Sequence, residues 1–454
     1  MQPVFWLWVC RDKTRMIGKF KHSFAKKETV AEAIVKSSVL SFISKVLGYV
    51  KYLAIAVFIG FNSKTDDYFM AIGLLGLFTI FVDVFNSIGV PNLVQALHSS
   101  EKEFHDLSGI LLTFTAVLAG GITLLAAGLA PYLPHIAIGF TKANQKIISR
   151  IFFLFIPFLF FSFFFHHFGA ILRSQRKFTV YFTGQFVLSL MSSILVLSIL
   201  PFIPKIWVLP ATLSFSQGVA TLFLLFYCKP YLSFKWFWNE TTKEMGRQFL
   251  YLTGTYAIGH VFMLIDNLFA SLLPPKTLTA LNYGFAVSGI PRSLFPFSTI
   301  AITPLSETNA SFEKANQYLG VILLYSIPFI LLTWIFVSPA LKILLGYGRF
   351  SHLDLSLTAQ AAKYYMFSLP LFMCWPVLYR VFQIKGKLSR ILLFGVIAGL
   401  FNILLKYLFI VHLHFALKGI TGSTFIVNLF LCGMTYFYFT LLKSRDSKLG
   451  SQKK

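Results

Sequence analysis

Apolar runs of about 20 residues, enough to cross the hydrocarbon core of a bilayer, recur about twelve times along this chain. Lipid offers a backbone amide no hydrogen-bond partner, so each run is read as a helix that satisfies its own backbone. The spans are placed at 32–59, 68–94, 107–131, 150–171, 178–201, 206–228, 247–273, 277–303, 317–344, 357–381, 391–411 and 420–442. Composition agrees: 56% of the 454 residues are apolar, 53 are Phe and only 12% are charged. The mean hydropathy of +0.73 lies far above that of soluble domains. The expected class is an all-α polytopic membrane protein.

Forty Lys and Arg stand against sixteen Asp and Glu, a formal +24. In a soluble chain that excess would suggest nucleic acid; in a membrane protein it first reports topology, because basic residues gather on the cytoplasmic side. With the N-terminus inside, roughly 24 basic residues fall in cytoplasmic segments and about 8 outside, so both termini are expected in the cytoplasm. The strongest contributors are the stretch Arg11 to Lys27, the turns Arg173 to Lys177 and Lys385 to Arg390, and the tail from Lys443. Two segments run the other way, the basic Lys142, Lys146 and Arg150 outside and the acidic Glu101 to Asp106 inside. The segment Arg11 to Lys27 also suits anionic lipid headgroups. Met1 to Cys10 is apolar but too short to span or to serve as a signal peptide. Cys10, Cys228, Cys374 and Cys432 are scattered, with no disulfide or metal-ligand spacing.

The chain reads as two copies of one six-span unit. The turn Gly169 to Phe178 after the fourth span recurs as Arg380 to Ser389 after the tenth, and the stretch from Val57 to Met70 is echoed at a similar offset from Ala270 to Gly284. Six spans per copy give both copies the same orientation. The expected division is a basic segment 1–31, a bundle 32–228, a connector 229–246 carrying Tyr231, Trp236 and Trp238, a second bundle 247–443, and a basic tail 444–454.

Charges inside spans carry the functional signal. Lys45 and Lys51 lie in the first span, Asp83 in the second, Asp266 in the seventh and Arg292 in the eighth. Each costs about 2.5–3.5 kcal/mol at a bilayer centre on insertion scales, so they are expected to line a hydrated cavity; the alternative is a helix-binding ion pair, which suits Asp266 or Asp83 with a lysine. Arg292 sits among Gly289, Pro291 and Pro296, in a span that must break, as at a transporter site. Lys45 and Lys51 are about 9 Å apart along the axis and about 120° apart around it, so facing one cavity requires a bend, which Gly48 permits. Lys342, Arg380 and Lys406 lie near span ends and are read as snorkelling, with Lys363 intermediate. His166 and His167 are assigned to the interface. No phosphate-loop, HExxH or GxSxG motif is present, so an enzyme is not expected; a membrane transferase would have only His260 and Asp266 to use.

The run from Ser44 through Lys51, then Ile59-Gly60, then Thr65, Asp66, Asp67, Tyr68 and Phe69, then Phe81 to Asp83, resembles the first two spans of the MurJ/MviN lipid II flippases, whose pattern is S-R-[IV]-L-G-F-x-R, F-G, x-D-A-F-F and F-A-E-G. Asp266 to Leu273 through Asn282 and Tyr283 to Pro291 resembles that family's seventh and eighth spans, and the turns at Arg173 and Lys385 resemble its basic turns. The resemblance implies the fold of the multidrug, oligosaccharidyl-lipid and polysaccharide exporter superfamily: two six-helix bundles in a V, about twelve helices, passing a lipid-linked precursor by alternating access. Lys45 and Lys51 fall on the family's two first-span arginines, Asp66 on its aspartate and Asp83 roughly on its glutamate. The family's second-span arginine falls near Thr79 and its eighth-span arginine on Ala286, six residues before Arg292. The family adds two C-terminal spans that form a groove for the polyprenyl tail, beyond the twelve read here.

The resemblance and the residues together give one expectation: a flippase, without a cofactor, moving a lipid-linked saccharide in the bacterial inner membrane as a monomer. Lys45, Lys51 and Arg292 would hold the diphosphate. Asp66, Asp83 and Asp266 would balance those cations or carry Na+ or H+, with the ion gradient or the membrane potential as drive. The competing expectations are a cation-coupled multidrug exporter, which would need acidic residues to dominate the cavity, and a non-transporting scaffold with the same fold.

Overall fold

The computed structural model describes residues 30–236, 240–294, 305, 311–346 and 349–451. Met1 to Cys10, Arg11 to Lys27, Trp238 and Pro296 lie outside them. The described residues fold into helices joined by short loops. In order these are α1 (Val30–Ala54, continued by a π-helical turn Ile55–Ile59), α2 (Ser63–Ser99), α3 (Glu101–Leu129), α4 (Lys142–Ser174), α5 (Phe178–Ile199) and α6 (Val208–Cys228). The second half contains α7 (Glu240–Ala270), α8 (Thr277–Ser288), α9 (Ile290–Leu294), α10 (Phe312–Leu345), α11 (His352–Phe367), α12 (Leu369–Ile384), α13 (Leu388–Lys406, continued by a π-helical segment Tyr407–His412) and α14 (Ala416–Ser451). Among the described residues ten helices are long and apolar enough to cross a membrane, and α11 with α12, bent by 44° at Ser368, makes an eleventh. The eighth span breaks at Gly289 between α8 and α9, and its remaining residues lie outside the described ones.

Helix starts follow from the loop residues. Asn62 and Ser351 form capping boxes with Thr65 and Asp354, and Ser100, Thr141 and Ser311 accept an amide of the first turn, which satisfies donors that lipid would leave bare. Helices apolar all round then pack through hydroxyl and thiol side chains, whose partners are neighbouring backbones. On α6, Ser214, Thr221 and Cys228 donate to the carbonyls of Leu154, Phe161 and Phe168 on α4 at 2.6, 3.1 and 3.6 Å. The same relation returns in the second half, where Cys432 of α14 donates to the Leu371 carbonyl of α12 at 3.7 Å.

The packing partners repeat as well. α1 lies on α5, α2 on α4, α3 on α4, α4 on α6 and α5 on α6; correspondingly α7 lies on α13, α8 on α11, α10 on α11, α12 on α14 and α13 on α14. α8 and α11 approach closely because both present small residues: a Cβ on Gly284 would stand 2.4 Å from that of Ala361. α1 runs through Gly48 as unbroken helix, and a backbone irregularity falls at the π-helical turn 55–59.

Candidate functional site

The two halves meet where α1 and α2 face α7, α8 and α9. Near the N-terminal end of α2 the seam is polar. Lys276, the residue preceding α8, has a left-handed backbone (φ 82°) and makes no side-chain cap bond to its own helix, since an ammonium has no acceptor to offer an amide. Asp66, from the other half, supplies the cap: its carboxylate accepts from Lys276 N at 2.6 Å, Thr279 N at 2.8 Å and Thr279 Oγ1 at 2.5 Å. A carboxylate at a helix N-terminus also meets the positive end of the helix dipole. Lys276 Nζ then pairs with Asp354 Oδ1 at 3.0 Å, which ties in α11, and Gly139 N donates to Ser271 Oγ at 3.3 Å.

Deeper along the seam, Tyr283 donates to the Tyr52 carbonyl at 2.7 Å and Tyr49 to the Ala286 carbonyl at 3.2 Å. Edge-on contacts of Tyr283 with Tyr52 (5.0 Å) and Phe61 (4.9 Å) fill the space around them. Further along, His260 Nε2 lies 3.1 Å from Asp83 Oδ2 and Ser87 Oγ 2.6 Å from the Tyr256 hydroxyl. Asp66 and Asp83 are therefore both engaged across the seam.

The three expected anion-holding cations are arranged unevenly. Arg292 lies on the short α9 with its guanidinium 4.9 Å from the rings of both Phe285 and Phe372, and α9 touches α1. Lys51 lies with Nζ 5.5 Å from the Tyr52 ring. Among the described residues no carboxylate comes within ion-pair distance of Lys51 or Arg292. Lys45 is exposed and lies on α1 four residues before Tyr49, on the same face. With α1 unbroken, Lys45 and Lys51 project about 120° apart.

Asp266 is placed differently, wholly within the second half. Its Oδ1 pairs with Lys406 Nζ at 2.8 Å, and its Oδ2 accepts from the hydroxyls of Tyr365 at 3.2 Å and Thr424 at 3.0 Å. Asn402 Oδ1 and Thr424 Oγ1 also receive the ammonium. This corrects the snorkelling expected of Lys406: the side chain is fully buried, because Asp266, Asn402 and Thr424 give its ammonium protons acceptors inside the bundle. His167, assigned to the interface, is likewise fully buried. The ion pair adjoins a cavity of ≈ 130 Å³ lined by Asp266, Tyr365, Thr424, Trp375, Phe285 and Phe372, the last two being the rings that flank Arg292. Among the described residues no group of three His, Cys, Asp or Glu could hold a metal ion.

Sequence reading missed His260 as the partner of Asp83, Lys276 and Asp354 as the polar seam, and the Lys406 cage. The signal for the cage was the pair Asn402 and Lys406, four residues apart on one helix face, in a span whose neighbour carries Thr424 and Asn428 at the same spacing.

Comparison with known proteins bears on this arrangement. The family model described as lipid II flippase MurJ matches residues 55–452. A probable lipid II flippase MurJ of Thermotoga maritima is 23% identical over 423 residues, covering 90% of this chain and 85% of that protein; one of Aquifex aeolicus is 25% identical over 366 residues, covering 76% and 71%. Among solved structures, a lipid II flippase MurJ in an inward closed conformation superposes with a TM-score of 0.74 at 18% identity over 89% of this chain and 87% of that one. A multidrug resistance MATE transporter of the MOP superfamily, inward-facing, gives 0.71 at 13% identity over 90% and 99%. The structural likenesses show the shared fold; the family model, spanning most of the sequence, shows that this chain belongs to the MurJ lipid II flippase family.

Proposed function

We propose that this protein flips a lipid-linked, anionic saccharide precursor, lipid II or a related polyprenyl-diphosphate sugar, across the bacterial inner membrane. The halves 32–228 and 247–443, joined by the connector 229–246, would rock about the seam described above, with both termini cytoplasmic and one chain sufficient. The observation that carries this reading is a pair of membrane-embedded cations, Lys51 and Arg292, without a carboxylate partner among the described residues. Uncompensated cations in a low-dielectric setting attract a diphosphate strongly; Lys45 lies near them, one turn before Tyr49 on the same face of α1. The lysines lack the bidentate fork of arginine, so Arg292, with its guanidinium 4.9 Å from the rings of Phe285 and Phe372, supplies the directional contact. Asp66 and Asp83 have partners across the seam, so their bonds break when the halves separate on their side. That makes them charge-balancing groups of the closed state.

The test is complementation in bacteria depleted of their own lipid II flippase, beside flipping of a fluorescent polyprenyl-diphosphate saccharide in proteoliposomes. Rescue by the parent and its loss in the Lys51→Ala/Arg292→Ala variant, inserted at equal level, is the expected outcome. Flipping unchanged by that double substitution refutes the assignment of the cations. A parent that inserts yet neither rescues nor flips supports the scaffold reading.

A further inference from the structure

Lys406 closes the last turn of α13 with no exposed surface, and its ammonium has three N–H donors and no acceptor capacity. Three oxygens from three helices receive them: Asp266 Oδ1 of α7, Asn402 Oδ1 of α13 and Thr424 Oγ1 of α14. The shell is one carboxylate, one amide carbonyl and one hydroxyl, with Tyr365 of α11 holding the other carboxylate oxygen. Hard cations take such all-oxygen shells in place of water. The π-helical segment that follows Lys406 is the kind of irregularity that re-aims a side chain within a helix.

We propose that Lys406 is a tethered cation standing in an oxygen cage that would otherwise suit an exchangeable monovalent cation such as Na+, so that the second half keeps its carboxylate permanently neutralised. Asp266 is then a structural counter-charge, and Na+ entry at this cage is no part of the working cycle. The inference rests on the cage geometry and stands whether or not the protein flips a lipid.

Its test uses the purified full chain in detergent, with the unfolding midpoint followed in NaCl against choline chloride at equal ionic strength and ²²Na+ binding measured alongside. For the parent the midpoint is the same in both salts and no saturable ²²Na+ is retained. Lys406→Ala empties the cage: its midpoint falls in choline and rises with Na+ concentration in the saturable manner of a bound ligand. The Asp266→Asn/Lys406→Met variant, lacking both charges, folds without a Na+ response. Saturable Na+ binding by the parent overturns the proposal, and this measurement is decisive even where Lys406→Ala does not fold. A folded Lys406→Ala protein that is stabilised by methylammonium but not by Na+ overturns it too, because the cage is then specific for an ammonium.

Discussion

Two aspartates that look alike in sequence, Asp266 and Asp83, end in opposite settings. Asp266 lies inside the second half, its oxygens shared by a fully buried lysine and two hydroxyls. Asp83 lies on the seam between halves, 41% exposed, facing a histidine that is itself 28% exposed. An ion pair sealed from water resists separation, because breaking it strands a charge; a half-exposed hydrogen-bonded pair such as Asp83 and His260 separates at less cost. Of these two aspartates, the one within a half has the stronger polar bond and the one between halves the weaker. Asp66 is intermediate: buried, yet bonded across the seam to the start of α8.

The largest effect that would break this comparison is at the sealed pair. Lys406→Met leaves Asp266 without its counter-charge and is expected to cost about 3–5 kcal/mol, while Asp266→Asn/Lys406→Met recovers most of it; a double-mutant cycle on unfolding midpoints reads the difference. Next comes Asp66→Ala, which removes the cap of α8 and should release about 1–2 kcal/mol of seam closure. A cysteine at Ser271 would then react roughly tenfold faster with an impermeant thiol reagent. Arg292→Lys keeps the charge but weakens stacking on Phe285 and Phe372, a loss of about 0.5–2 kcal/mol seen as weaker retention of a diphosphate-bearing lipid and a slightly lower unfolding midpoint. Smallest is the Asp83 and His260 pair, whose coupling by double-mutant cycle should be about 0.2–1 kcal/mol. A value as large as that of the Lys406 pair would erase the distinction between seam and interior.

Most of the helical architecture was legible because lipid makes length and apolarity sufficient to mark a span; the chain's long helices follow the expected runs, and the break at Gly289 was written in glycine and proline. The packing partners of the charges were not legible. A helix apolar on every side gives no face away, so in the run 391–411 only the spacing of Asn402 and Lys406 hints that Lys406 turns inward while Lys342, also near a span end, does not. Asp66 was singled out through family resemblance, yet its task of capping a helix some 210 residues later in the chain depends on Lys276 being unable to cap that helix, which only the fold reveals.

The ladder from α6 to α4 has a mechanical consequence. Ser214, Thr221 and Cys228 recur every seven residues and meet carbonyls that also recur every seven, so the two helices run parallel and stay in register over about four turns. Sliding one past the other by a turn would break every rung at once. The pair is therefore expected to move as one body, which leaves the π-helical turn before Gly60 and the loops that carry α2 as the first half's natural joints.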